Sequence, residues 1–272
     1  MRTLYVTDLD GTLLRKEQCL SEYTIKTLNA LIEKGMLFSY ASARSSYSAS
    51  KVTKGLNINI PVILQTGVMI KDLQKGILLK GHFFQQDKVA KILEEMMKKD
   101  VHPVVYSVQN DEEKFSYQYQ KINNLTKEFL SSRQTDPRNH PVESMEELTE
   151  GNLFYITTVD QYEKLVGFYE KYKEEYHCVF QREYYSQEYW LEIMPKDASK
   201  ANGVKELAEL LHADKIVVFG DSMNDIDMFA VADEAYAVEN AMEELKQAAT
   251  GVIGSNEEDG EAKWLYEHAC IE

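Results

Sequence analysis

Near its start the chain carries two aspartates two positions apart, in Asp8-Leu9-Asp10-Gly11-Thr12-Leu13-Leu14, just where an apolar run ends. A carboxylate can attack phosphorus directly, which splits hydrolysis of a phosphate ester into transfer to the protein and then hydrolysis of the acyl phosphate. Asp8 is the candidate for that attack. Asp10 can protonate the leaving oxygen in the first step and activate water in the second, the reversible duty of one acid/base group. Gly11 lets the chain turn tightly after the acids, and Thr12 can fix the turn with its hydroxyl. Aspartate and glycine also build ordinary turns, but at average residue usage four fixed identities recur by chance in only about 0.002 of chains this long. Chemistry is the better reading.

A second acidic cluster, Gly220-Asp221-Ser222-Met223-Asn224-Asp225, again follows an apolar run. Magnesium prefers oxygen ligands and keeps several waters, so Asp8, the main-chain carbonyl of Asp10 and Asp221 suffice, with Asp225 holding a ligand water. Such a cation lets an anionic carboxylate approach an anionic phosphate. Asp227 reads instead as a helix N-terminal acid favoured by the macrodipole. Ser42, in Ala41-Ser42-Ala43-Arg44, and Lys200, in Ser199-Lys200-Ala201-Asn202-Gly203, supply a hydroxyl and an ammonium for a phosphoryl group. Lys196 is the rival to Lys200, which is preferred because it opens a capped helix. Arg44 either joins the phosphate site or pairs with surface acids.

These residues need a common frame. Apolar runs at Leu4 to Thr7, Met36 to Ala41, Pro61 to Gln65 and Ile216 to Phe219 are continuous rather than alternating, the mark of parallel strands buried on both faces. Helical patterns lie between them, one capped by Ser21 with Ile25, Leu28, Leu31 and Ile32 as its stripe and another capped by Ser199. Each strand runs directly into a polar residue, Asp8, Ser42, Thr66 or Asp221, and ligands bind beyond the carboxyl ends of such strands. The segment from Phe84 to Tyr189 reads differently. It mixes helices at Asp87 to Lys99 and Gln161 to Lys173 with strands at Pro103 to Gln109, Lys114 to Gln120 and Leu153 to Val159. Cys178 to Glu183 and Tyr189 to Met194 form a hairpin pair, and Ser131 to His140 is a loop.

Together these segments resemble the four motifs of the haloacid dehalogenase superfamily, particularly its Cof-like phosphatases, along nearly the whole chain. The resemblance implies an α/β fold, a Rossmann-like parallel-sheet core with helices on both faces at 1–83 and 190–272, and an inserted α+β cap at 84–189. It implies Asp8 as nucleophile, Asp10 as acid/base, and Asp8, Asp10, Asp221 and Asp225 around Mg2+. Leu9, Ser42, Ala43, Arg44, Lys200 and Asn224 form the implied phosphate and substrate contacts. The segments Val238 to Ala241 and Ser255 to Gly260 resemble the family's C-terminal stretches. Three departures stand out: Ser42-Ala43-Arg44 for Thr-Gly-Arg, Thr66-Gly67 for Asn-Gly, and Glu261 for an apolar residue after Asp259-Gly260.

The formal charge of -15 argues against nucleic acid or an anionic membrane as partner, since those surfaces need clustered Lys and Arg. The expected partner is a small phosphorylated metabolite of the sugar phosphate, nucleotide, flavin or pyridoxal phosphate type. Three widely spaced cysteines suggest no disulfide framework, and with no apolar signal segment the expected location is the cytoplasm. Transfer of the phosphoryl group to a sugar hydroxyl, as in a mutase, is the alternative chemistry. A non-catalytic phospho-aspartate switch explains less, because it has no use for Asp10.

Overall fold

The computed structural model describes residues 2–182 and 187–271. They divide into two compact units, Met1–Gly81 with Ser199–Glu272, and His82–Ala198. The larger unit begins with β1 (Thr3–Thr7), buried at every position. Helix α1 (Glu22–Glu33) follows, its Ser21 cap accepting from the Thr24 N–H, with Thr24, Leu28, Leu31 and Ile32 as its buried face. Then come β2 (Leu37–Tyr40), α2 (Ser46–Val52), capped by Ser45, and β3 (Val62–Leu64). Strands β4 (Met69–Asp72) and β5 (Ile77–Gly81) follow in an antiparallel meander, β4 on β3 and β5 on β4, that was not read from the sequence.

The smaller unit contains, in chain order, α3 (Gln86–Lys98), β6 (Val104–Gln109), β7 (Glu112–Tyr117), α4 (Asn124–Ser131) and β8 (Asn139–Pro141). It continues with α5 (Met145–Leu148), β9 (Asn152–Asp160), α6 (Tyr162–Tyr172), β10 (His177–Arg182) and β11 (Tyr189–Met194). Its sheet runs β10-β11-β9-β6-β7-β8. Pairing is antiparallel except between β7 and β8. One face packs Val105, Ile156, Leu191 and Ile193 against Ile92, Leu93, Met96, Leu165 and Phe168 of α3 and α6. The expected loop Ser131 to His140 is shortened at its end by β8, and Glu183, the expected last residue of a strand, lies outside the described residues.

The chain then re-enters the larger unit through α7 (Lys200–Leu211), β12 (Lys215–Gly220), α8 (Ile226–Phe229), β13 (Glu234–Val238), α9 (Glu243–Ala248), β14 (Gly251–Ile253) and α10 (Gly260–His268). The boundary expected at residue 190 falls inside β11, which pairs with β9 on one side and β10 on the other and so belongs to the smaller sheet. Its apolar residues would suit either sheet. Pairing decides between them, and hydrophobic pattern does not encode pairing.

The core sheet has the order β14-β13-β12-β1-β2, all parallel, and β3 extends it through a parallel bridge of Ala41 to Ile63. Its central strand β1 is buried on both faces, and its helices pack in pairs, α1 against α10 and α7 against α8. From β1 the chain progresses outward through β2 and β3, and later returns to β12 on the other flank of β1. The order reverses at the β1/β12 boundary, which is where a doubly wound sheet opens a crevice at its carboxyl ends.

Beyond β3 the chain makes a left-handed turn, with φ of 52° at Gln65, 55° at Thr66 and 89° at Gly67. A Cβ at Gly67 would meet the Ser199 carbonyl oxygen at 1.9 Å, so glycine is what allows the N-terminus of α7 to approach. Thr66 is the strained member, since a β-branched residue tolerates this region poorly whereas asparagine enters it readily. Thr66→Asn should therefore raise the unfolding free energy by about 1 kcal/mol, read as a shift in denaturant midpoint at constant slope. An unmoved midpoint would show that the turn stores no strain there.

Candidate active site

Asp8, Ser42 and Asp221 stand at or just beyond the carboxyl ends of adjacent strands of the core sheet, and Lys200 opens the helix beside them. The Asp8 N–H donates to the Phe219 carbonyl at 2.9 Å, which extends the β1/β12 ladder one residue past Thr7 and brings Asp8 beside the β12 terminus. Ser42 continues β2, its N–H donating to the Ile63 carbonyl at 3.0 Å. Lys200 is the first residue of α7, capped by the Ser199 side chain.

The core of the site is a buried ion cluster. Lys200 Nζ donates to Asp8 Oδ1 at 2.6 Å and to Asp225 Oδ1 at 2.7 Å. All three side chains are at least nine-tenths buried. Asp225 Oδ2 accepts the main-chain N–H groups of Asp221 and Ser222 at 3.1 and 3.2 Å. Asp225 is thus used on both oxygens, which suits a supporting role behind a cation. Oxygens of Asp8, Asp221 and Asp225 lie within 4.8 Å of one another. Gly11 makes room for this gathering, because a Cβ there would meet Asp221 Oδ2 at 2.3 Å.

The electrostatics favour a cation. Burial pushes the Asp8 carboxyl well up, despite the Lys200 ammonium. Burial, reinforced by Asp225, pushes Asp221 up to about 6. Burial also opposes the charge on Lys200, but Asp8 and Asp225 outweigh it and hold the ammonium firmly protonated. Three acids against one ammonium leave an excess of negative charge that a divalent ion would offset. An all-oxygen donor set fits a hard cation of the Mg2+ type.

Asp10 is separate from this cluster. Its carboxylate is gripped by the Arg44 guanidinium, Nε to Oδ2 at 2.7 Å and Nη2 to Oδ1 at 2.5 Å, and its side chain remains half exposed. Arg44 also donates to Ser48 Oγ and Gln18 Oε1. Ser42 Oγ accepts the Arg44 N–H at 3.2 Å, which does not use the hydroxyl's own hydrogen. Ala43 and Asn224 are exposed near this rim, with Asn224 Oδ1 accepting from Ser222 Oγ. The Leu9 side chain is buried in the core, so this residue can offer a ligand only its main chain. Lys196 lies in the smaller unit, donating to the Glu174 carbonyl.

Two asparagines escaped notice as individual residues. Asn240 Nδ2 donates to the Gly11 carbonyl at 2.8 Å, and Asn256 Nδ2 donates to the Leu14 carbonyl at 2.9 Å. Asn240 Oδ1 in turn accepts the Asn256 N–H at 3.1 Å, so the pair ties the turn after Asp10 to the C-terminal part of the chain. Both lie in the two C-terminal segments that carry the family resemblance, the one signal that could have found them.

Residues 5–265 match the family model described as haloacid dehalogenase-like hydrolase. A protein of Buchnera aphidicola subsp. Schizaphis graminum is 30% identical over 97% of this chain and 95% of its own length. The Bacillus subtilis protein named 5-amino-6-(5-phospho-D-ribitylamino)uracil phosphatase YwtE is 26% identical over 95% of each chain. The crystal structure of TM0651 from Thermotoga maritima superposes with a TM-score of 0.81 at 25% identity, covering 99% of this chain and 98% of that one. The chain belongs to the haloacid dehalogenase-like hydrolases. Within that family it is a hydrolase of the phosphatase kind, and the superfamily generally uses a metal ion.

The raised carboxyls make stability depend on pH with a definite sign. Asp221 moves from an ordinary 3.8 to about 6, and Glu261, beneath the site, from 4.5 to about 8 on burial. Both bind protons more tightly folded than unfolded, so their contribution is complete below the ordinary values and is lost as pH rises through the folded ones. In a chelating buffer the thermal midpoint should fall as pH rises between about 4.5 and about 8. Millimolar Mg2+ should oppose that fall, because the ion binds the ionised acids and stabilises the folded state by mass action. Parallel curves with and without the ion would count against a cation site.

Proposed function

We propose that this protein is a Mg2+-dependent phosphatase that hydrolyses a small phosphorylated metabolite through an aspartyl-phosphate on Asp8. The observation that carries this reading is the meeting of Asp8, Asp221 and Asp225 within 4.8 Å, with Lys200 bridging the first and last. A divalent ion held by Asp8, the Asp10 carbonyl and Asp221, with Asp225 behind, would supply charge neutralisation for the approach of carboxylate to phosphate.

The residues of the chain then have distinct tasks. Lys200 occupies Asp8 Oδ1, leaving Oδ2 for phosphorus or the cation, and its charge opposes the protonation that burial favours. Ser42 donates its hydroxyl hydrogen to a phosphoryl oxygen. Arg44 exchanges Asp10 for the incoming phosphate, since a fork of N–H donors suits either anion. Released from that fork, Asp10 can carry a proton, give it to the leaving oxygen, and take one back from the water that opens the acyl phosphate.

The B. subtilis relative is named for a phosphorylated ribitylamino-uracil, so that class joins sugar phosphates, nucleotides, flavin mononucleotide and pyridoxal phosphate as candidate substrates. The thiols of Cys19, Cys178 and Cys270 are free, as a reducing cytoplasm would keep them. No helix among the described residues is long and apolar enough to cross a membrane.

The test is release of inorganic phosphate from that panel, with Mg2+ and with chelator. At least one member should turn over, and only with the ion. Asp8→Asn should lower kcat by about a thousandfold or more while the protein stays folded. Turnover persisting in that variant would remove Asp8 as nucleophile.

A further inference from the structure

Directly beneath the nucleophile lies a carboxyl that the reaction described above does not use. Glu261, in the first turn of α10, is 2% exposed, and its Oε1 has no hydrogen-bond partner among the described residues. Its Oε2 lies 2.6 Å from Thr7 Oγ1, and that hydroxyl lies 2.6 Å from the main-chain carbonyl oxygen of Asp8. The approach is built into the backbone. A Cβ at Gly260 would meet the Gly254 carbonyl oxygen at 1.9 Å, so only glycine lets the first turn of α10 settle this close to the β14 terminus.

Counting hydrogens decides the state of this chain of oxygens. Thr7 has one hydroxyl hydrogen and faces two oxygens, and the Asp8 carbonyl can only accept. If Thr7 gives its hydrogen to Asp8, the short contact with Glu261 must be made by a hydrogen on the carboxyl. If Thr7 gives it to an ionised Glu261, two bare oxygens face each other across 2.6 Å and a buried anion keeps one oxygen unsatisfied. The N-terminus of α10 favours an anion only weakly, by less than the cost of burying one unpaired. Asp8, the charged group that acts on Glu261, repels a second negative charge.

We propose that Glu261 is a positioning residue: as a neutral carboxylic acid it donates to Thr7 Oγ1, which commits the Thr7 hydrogen to the Asp8 carbonyl and fixes the peptide that carries the nucleophile. With the Asp8 N–H already on the Phe219 carbonyl, Asp8 is held at both its main-chain polar groups, one in each of the two peptides that flank its Cα. Burial accordingly pushes the Glu261 carboxyl up to about 8. This assignment rests on Asp8 as nucleophile for its kinetic consequence, though not for its protonation state.

Two measurements test it. Isotope-edited infrared difference spectra of the full chain against Glu261→Gln, near neutral pH, should show the carbonyl stretch of a protonated acid that the variant lacks. An ionised-carboxylate signal in its place overturns the proposal. In kinetics, Glu261→Val should lower kcat about tenfold or more with little change in KM, the scale expected when a partner behind a reacting group is removed. Glu261→Gln, whose amide N–H can still donate to Thr7, should keep kcat within about threefold. Thr7→Val should match Glu261→Val, and the double variant should be no slower than either, as for residues acting as one unit. A folded Glu261→Val with unchanged kcat overturns the proposal. The infrared arm needs no turnover, so failure of the phosphatase reading would leave its band in place and be told apart.

Discussion

Lys200 places a buried ammonium between the carboxylates of Asp8 and Asp225, and much of the larger unit is arranged to deliver it there. A charge this deep costs several kcal/mol unless it is paired, so the three side chains stand or fall together. The delivery is steric as well as electrostatic. Gly67 lets the Ser199 end of α7 come against the turn after β3, and a Cβ at Gly203 would meet Ile63 Cγ2 at 2.6 Å. Two glycines from distant parts of the chain therefore seat one helix on one strand, and the seat sets where the ammonium lies.

The same economy operates on the acids. Asp8 and Asp221 are far apart in sequence but follow strands that pair in parallel, with Thr7 opposite Phe219. Once β1 and β12 are neighbours in that register, their next residues emerge together at the rim. Gly220 completes the arrangement, because a Cβ there would meet Asp225 Cβ at 2.8 Å. The turn after β12 thus folds back far enough for Asp225 to accept from the N–H groups of Asp221 and Ser222 while keeping an oxygen for Lys200.

This explains which parts of the molecule could be read from the chain. Asp8, Ser42 and Asp221 were legible because each ends an apolar run, and strand ends of a parallel sheet converge by topology. Lys200 was legible through its cap at Ser199. The membership of β11 in the smaller sheet was not, because Leu191 and Ile193 are as apolar as a core strand requires and only pairing distinguishes the two. The hydrogen bonds of Asn240 to Gly11 and Asn256 to Leu14 join residues more than two hundred positions apart. No periodicity announces a contact of that kind. Glu261 was visible only as a departure, and its meaning needed the position of Thr7.

Asp8 and Asp10 show how one short segment can hold two carboxyls in different surroundings, as the proposed division into nucleophile and acid/base requires. Both lie just past the end of β1, yet their surroundings diverge. Asp8 is buried against an ammonium on a helix N-terminus, where it can be ionised only in company. Asp10 is half exposed, and its partner is a guanidinium that also donates to Ser48 and Gln18. A nucleophile benefits from the first environment, which fixes its position and excludes competing water. A group that must take and give a proton benefits from the second, where solvent is at hand and the ion pair can open when another anion engages the arginine. The chain leaves β1 and turns at Leu9, so it passes from one environment to the other within two residues. On this reading the division of labour between the two aspartates is a consequence of where the β1 strand stops.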